Sequence, residues 1–280
     1  MNVTFWGTRG SLPSPGPSTV RYGGNTTCIE VSMASGETVI IDSGTGIRAL
    51  GNDLMTRNGP IHVKLLFTHS HWDHVQGFPF FIPAFVAGNR IEIYGAEAAL
   101  KLIQKDIFEA SDSSYFPVKK VDFKATCSFH FQPHWLPRLK SATVKALPLN
   151  HPGGGFCYRF DEGNSSFAFV TDFELGQQYP NGTTPEQLRE FVKDVNLLVM
   201  DAQYTDEEIV FTRGWGHSTF NEAVAFAQSA NVQQLVLYHH DPKRSDEELD
   251  HIVAKIRKHL AEGKVHLEVL PAREGETLSI

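Results

Sequence analysis

The chain has 280 residues, 41% hydrophobic, 20% charged and 11% aromatic; that is enough apolar material for one large or two ordinary packed domains, and it excludes a disordered, collagenous or coiled-coil chain. Its 25 basic and 32 acidic residues leave a net charge of −7 with histidine neutral, the opposite of the basic footprint that a polyphosphate backbone selects, so a long nucleic acid is disfavoured as ligand. No apolar run reaches the roughly 18 to 20 residues of a membrane helix, and the opening MNVTFWGTRG lacks a signal peptide's basic flank and apolar stretch, so no membrane partner and a cytoplasmic location are expected.

In chain order, β-branched apolar runs predict strands at Asn2–Trp6, Thr27–Met33, Thr38–Ile41, His62–Phe67, Arg90–Tyr94, Thr143–Leu149, Phe156–Phe160, Ser166–Val170, Asn196–Met200, Gln234–Tyr238 and Val265–Leu270. Helical patterns lie between them. Thr184 followed by Pro185 and Gln187, Thr219 with Glu222, and Ser245 with Glu248 all have the spacing of a capping box at a helix start. The last opens a helix whose Leu249, Ile252, Val253, Ile256 and Leu260 form one apolar stripe. Both halves hold several strands followed by helices, with strands ending in Asp or His. There is no 20 to 50 residue repeat and no evident linker, so residues 1–280 are expected to form a single domain. Residues at about 105–140 are the least regular stretch and read as an elaborated loop, either a lid or contact surface or an ordinary insertion. Cys28, Cys127 and Cys157 are an odd number without ligand spacing and read as buried thiols.

The chemistry concentrates in Thr68-His69-Ser70-His71-Trp72-Asp73-His74, directly after the strand ending at Phe67. Neither a strand nor a helix points all four candidate ligands one way, but a tight turn between the two converges them. The bland alternative is a polar loop with incidental histidines. Against it, three His beside an Asp in an ordered, apolar-flanked segment are costly to hold together without a cation.

His69, His71, Asp73 and His74 form an HxHxDH signature that resembles that of the metallo-β-lactamase superfamily. Further elements follow in the order that family shows: Asp42 ending VIID, His151 after KALPLN, Asp172 ending FAFVTD and His239 after QLVLY. The resemblance spans residues 1 to about 240. It implies an α/β fold, a four-layer αββα sandwich, and two divalent metal ions, zinc first with manganese or iron as alternatives. His69, His71 and His151 would hold one ion, Asp73, His74 and His239 the other, with Asp172 bridging and Asp42 orienting the ligand loop from beneath. Imidazoles with carboxylates suit such ions, which clamp a hydroxide between them and supply a nucleophile at neutral pH. His240 adjoins His239, and successive residues at a strand end project to opposite sides. The family's last motif favours His239.

Asp172 matches the branch of phosphodiesterases, glyoxalase II and lactonases, while His71 departs from the Glu of oxygen-reducing diiron members. Gly216-His217-Ser218-Thr219 resembles the GHST motif of the ribonuclease Z group and related phosphodiesterases, where the His faces the scissile phosphate. The resemblance makes His217 a general acid beside free N–H groups at a helix N-terminus, with Asp73 catalytic as well as ligating. Gly7-Thr8-Arg9-Gly10-Ser11 and the segment from Arg21 to Thr26 resemble the same group. Arg9 and Arg21 could hold an anionic substrate, or the glycines there could only shape turns. The interval from His151 to Asp172 is 172 − 151 = 21 positions, too short for the tRNA-binding arm of ribonuclease Z. The expected function is therefore a dinuclear phosphodiesterase acting on a small anionic phosphodiester such as a cyclic nucleotide. The alternatives are a ribonuclease Z-like tRNA endonuclease and a thioester or lactone hydrolase, and a homodimer is expected by analogy alone.

Overall fold

The computed structural model describes residues 1–105, 122–131 and 136–280, and its strands fall where β-branched and aromatic side chains recur. Along β1 (Asn2–Gly7), Val3, Phe5 and Gly7 are buried while the residues between them are not, the period of two that marks a half-buried strand. It continues into β2 (Cys28–Ser32), β3 (Thr38–Ile41), β4 (His62–Leu66), β5 (Arg90–Tyr94) and β6 (Thr126–His130). The second sheet holds β7 (Thr143–Pro148), β8 (Phe156–Glu162), β9 (Ser165–Val170), β10 (Leu197–Asp201), β11 (Gln234–Tyr238) and β12 (Glu268–Pro271). A last strand, β13 (Thr277–Ser279), returns to the first sheet and pairs antiparallel with β1.

The strand orders are β13-β1-β2-β3-β4-β5-β6 and β12-β11-β10-β9-β8-β7. Each sheet combines an antiparallel part with a parallel run, β3 to β6 in one and β9 to β12 in the other. Val3, Phe5, Ile29 and Ile41 of the first sheet pack against Phe160, Phe169, Val199 and Tyr238 of the second. Helices cover the outer faces: α1 (Ile47–Leu54), the one-turn α2 (Trp72–Val75) and α3 (Glu97–Ile103) on the first sheet, and α4 (Pro185–Val192), the one-turn α5 (Ile209–Thr212), α6 (Phe220–Ser229) and α7 (Asp246–Glu262) on the side of the second. This is the αββα sandwich. In an open α/β sheet the crevice beyond the carboxyl ends of parallel strands is where ligands bind, and here the ends of β3, β4, β9, β10 and β11 all carry Asp or His.

Much of the 105–140 stretch lies outside the described residues; the part that is described contains β6, a strand that the sequence pattern did not reveal. Among the described residues no helix is long and apolar enough to cross a membrane. Cys28 and Cys157 are buried and Cys127 is half-buried, all three as free thiols. Burial pushes Cys157 up to about 12 and Cys127 up to about 11.

Candidate metal centre

Beyond β4 the chain turns through Thr68 and enters α2 with His71 at its N-cap in extended conformation. The turn is built on Asp42, fully buried past the end of β3. Its Oδ1 accepts the Thr68 amide at 2.8 Å, and its Oδ2 accepts both the Thr68 hydroxyl at 2.8 Å and His74 Nδ1–H at 2.8 Å. Donating Nδ1–H to this carboxylate leaves His74 Nε2 aimed at the cluster, 3.3 Å from Asp73 Oδ2 and 3.3 Å from Asp172 Oδ1. Three of the other rings are fixed in the same way, by an acceptor at the outer nitrogen, whereas His71 Nδ1 lies 3.1 Å from His151 Nε2 within the cluster. His151 Nδ1–H donates to the Gly216 carbonyl at 2.9 Å, His239 Nδ1–H to Gln203 Oε1 at 2.9 Å, and His69 Nδ1–H to Thr68 Oγ1 at 3.1 Å.

Two groups result. His69, His71, His151 and Asp172 each present one donor atom within 4.8 Å of the others, and so do Asp73, His74 and His239. Asp172 faces both: Oδ2 lies 3.6 Å from His69 Nε2 and 3.7 Å from His151 Nε2, while Oδ1 lies 3.3 Å from His74 Nε2 and 3.2 Å from His239 Nε2. Each group draws on both sheets. A further set within the same spacing is Asp172, Asp201, His217 and His239, although Asp201 Oδ2 already accepts His217 Nδ1–H at 2.6 Å.

The residues fit a pair of cations. His69 Nε2 is buried with no hydrogen-bond partner, a cost that a Lewis acid at its lone pair would remove. Burial pushes His69 well below its ordinary value and His151 down to about 4, so both are neutral. Burial alone would also lower His74, but the carboxylates of Asp73, Asp172 and Asp42 hold it well above the usual imidazole range. One trapped proton therefore partly balances the carboxylates where cations would do so fully.

Left-handed backbone marks three of these positions. Asp42 (φ 61°), Asp172 (φ 52°) and His239 (φ 61°) are non-glycine residues past strand ends, a conformation that costs free energy and collects at functional sites. His240, next in the chain, is turned away. Its Nε2–H donates to the Ala272 carbonyl at 2.9 Å, and burial pushes the ring down to about 3.

His217 stands beside the cluster, its ring centroid 4.9 Å from that of His239 and 5.4 Å from that of His151. Burial opposes its protonation, but Asp201 wins and raises His217 to about 9. The expected free N–H groups at this helix start are largely used. Thr219 N–H donates to Glu222 Oε2, Glu222 N–H to Thr219 Oγ1 and Phe220 N–H to the Tyr204 carbonyl. The helix end thus presents an imidazole rather than open amides.

Arg9 and Arg21 are not brought to the cluster. The Arg9 guanidinium is fully buried: Nε donates to the Gly23 carbonyl at 2.7 Å, Nη1 donates to the carbonyls of Asp241 and Arg244 at 3.0 and 2.7 Å, and Nη2 is buried with no hydrogen-bond partner, so the group is tied into the interior. Arg21 pairs with Asp250 of α7. The GTRGS segment serves as a rivet: Arg9 bridges to Thr26 on the first-sheet side and to His240 on the second. A Cβ at Gly10 would fall 2.4 Å from His239 Nδ1, so glycine there gives a ligand ring its room.

Asp201, Gln203 and Glu174 escaped the sequence reading. Asp201 carried a usable signal, because LLVMD ends a strand in Asp as FAFVTD does. Gln203 and Glu174 carried none, as each acts through a bond to a residue distant in sequence.

The sequence model of the β-lactamase superfamily domain matches residues 37–240. A ribonuclease Z of Bradyrhizobium diazoefficiens is 27% identical over 291 aligned positions, covering 88% of this chain and 92% of that protein. Human tRNase Z, short form, shares the fold with a TM-score of 0.69 at 21% identity, over 100% of this chain and 99% of the other. A diphosphatase of the PhnP family gives a TM-score of 0.69 at 18% identity, covering 100% and 97%.

Proposed function

Because the chain belongs to the β-lactamase superfamily, whose domain it carries over residues 37–240, we propose that it is a metal-dependent hydrolase that cleaves a phosphodiester. The observation that carries this is the side-by-side placement of two ligand groups sharing Asp172 and an imidazole, His217, backed by a buried carboxylate. His69, His71 and His151 would hold one divalent ion, Asp73, His74 and His239 the other, and Asp172 both; zinc suits the donor set, with manganese or iron as alternatives. When bound, the ions supply Lewis acidity towards a phosphoryl oxygen and a nucleophile at neutral pH.

The chain's own residues do the rest. His217 Nδ1–H is held by Asp201, so Nε2 carries the mobile proton and delivers it to the departing oxygen. The buried carboxylate keeps the ring protonated at neutral pH, as a general acid requires. Asp73 Oδ2 accepts the Ser11 amide at 2.7 Å and is fixed between His74 and His239; it orients the attacking water. Asp42 and Gln203 hold His74 and His239 with Nε2 turned inward.

Two substrate classes remain in play. A small diester is favoured by the net charge of −7 and by β8 and β9 filling the interval from His151 to Asp172 with a plain hairpin. Precursor tRNA is favoured by the relative named ribonuclease Z, which runs against the expectation that a long nucleic acid is disfavoured; charge summed over a whole chain does not report the local field at a site. The test is turnover of bis(p-nitrophenyl) phosphate, cyclic mononucleotides, precursor tRNA, a thioester and a lactone by protein loaded with Zn²⁺ or Mn²⁺. Hydrolysis of diesters is expected; cleavage of the thioester or lactone with every diester inert would overturn the proposal.

A further inference from the structure

Beside His217 lies a cavity of about 550 Å³, within the range of small-molecule sites, whose lining includes Ser11, Tyr204, Trp215, His217 and Lys243. Trp215 is 62% exposed, an indole left largely in water where an apolar side chain gains nothing from folding.

Its exposure is built by the loop and not by chance packing. Gly214 and Gly216 on either side adopt φ +93° and +95°, the left-handed region that glycine enters freely. The N–H of Gly214 donates to Glu174 Oε1 at 2.9 Å and that of Gly216 to Glu174 Oε2 at 2.8 Å. Glu174 is fully buried and also accepts the Tyr179 hydroxyl at 2.5 Å. Both peptide neighbours of Trp215 are therefore pinned from beneath by one carboxylate. The Gly216 carbonyl in turn accepts His151 Nδ1–H, so the loop that presents the indole is tied directly to a candidate metal ligand. A rigid aromatic face at a fixed place relative to the reacting phosphate is what stacking recognition needs.

We infer that Trp215 is the stacking platform of a subsite that takes a planar ring, such as a nucleobase, on the ester arm that His217 faces. This rests on the phosphodiesterase reading above and adds to it a preference for ring-bearing over purely aliphatic arms. Lys243, which forms no ion pair among the described residues, supplies a cation to the same cavity.

The experiment is calorimetric titration of metal-loaded wild type, Trp215→Ala and Trp215→Phe with adenosine 5′-monophosphate and with ribose 5-phosphate, which lacks the ring. Trp215→Ala should weaken the nucleotide by about 5- to 150-fold, the range for losing one base stack, and leave ribose 5-phosphate unchanged. Trp215→Phe should retain most of the affinity. Equal nucleotide affinity in wild type and Trp215→Ala overturns the inference, and so does equal weakening of both ligands, which would mean a disturbed loop. Sedimentation supplies a third check, because Phe211 and Val210 nearby are also exposed: loss of a dimer in Trp215→Ala with nucleotide affinity intact would assign the indole to a subunit contact. Failure of the phosphodiesterase reading shows separately, as no turnover of bis(p-nitrophenyl) phosphate by the wild type, while the nucleotide titration still decides the platform.

Discussion

The proton on His217 is the most exposed point of the proposed chemistry. His217→Ala should lower turnover by about 10²- to 10⁴-fold with metal content unchanged, and the loss should be smaller for a nitrophenol leaving group, which needs little protonation, than for a ribose alkoxide. Equal losses would reduce His217 to phosphate binding. Asp201→Asn removes the charge that holds the ring near 9, so less of it stays protonated as pH rises. The alkaline limb of the rate profile should move to lower pH; an unmoved limb would show that Asp201 does not set the acid. Asp172→Ala should deplete both ions and His240→Ala neither, as read by metal analysis. His240→Ala losing an ion while His239→Ala keeps both would reverse the assignment. The strand-end Asp and His residues could be read from the sequence because each stops an apolar run with a polar group that no core tolerates unpaired. The anion-holding expectation for Arg9 and Arg21 had no such footing, because backbone carbonyls brought up by folding claim Arg9 and leave no trace in residue types.

The three helix starts carried their own mechanism, and all three capping boxes form, at Thr184, Thr219 and Ser245. They act locally, within four residues, which is why spacing sufficed. Strands differ, since pairing is with distant partners. In β6, at the sheet edge, Thr126 is exposed and Cys127 to His130 are all half-buried, so there is no alternation to see, and β13 has three residues. The final strand of the second sheet begins at Glu268 rather than Val265, because α7 runs on to Glu262 and Val265 N–H is spent closing that helix on the Leu260 carbonyl. Ser245→Ala should lower unfolding stability by about 1 kcal/mol, measured by denaturant titration, with metal content and turnover untouched. Thr219→Ala, at the cap two residues after His217, should lower turnover as well; equal catalytic behaviour of the two variants would show that the cap does not position His217.

For the whole molecule, ion uptake and folding are linked. The proton trapped on His74 by Asp73, Asp172 and Asp42 must leave when a cation arrives, so binding should release protons, and affinity should fall as pH falls. Calorimetry in buffers of different ionisation enthalpy measures this; a buffer-independent heat would count against it. Chelation should lower the melting temperature, since bound ions stabilise only the folded state.

Each candidate ligand group takes His69 and His71, or Asp73 and His74, from one sheet and its remaining members from the other, and this has a kinetic consequence. During refolding neither sheet alone offers more than a partial coordination set, so tight capture must wait until the two have docked. A metal-sensitive dye present from the start should report uptake in step with the last burial of Phe169 and Tyr238 at the sheet interface, and not with earlier strand formation. The ion then acts as a timekeeper of assembly, recording the moment at which two separately formed layers become one molecule.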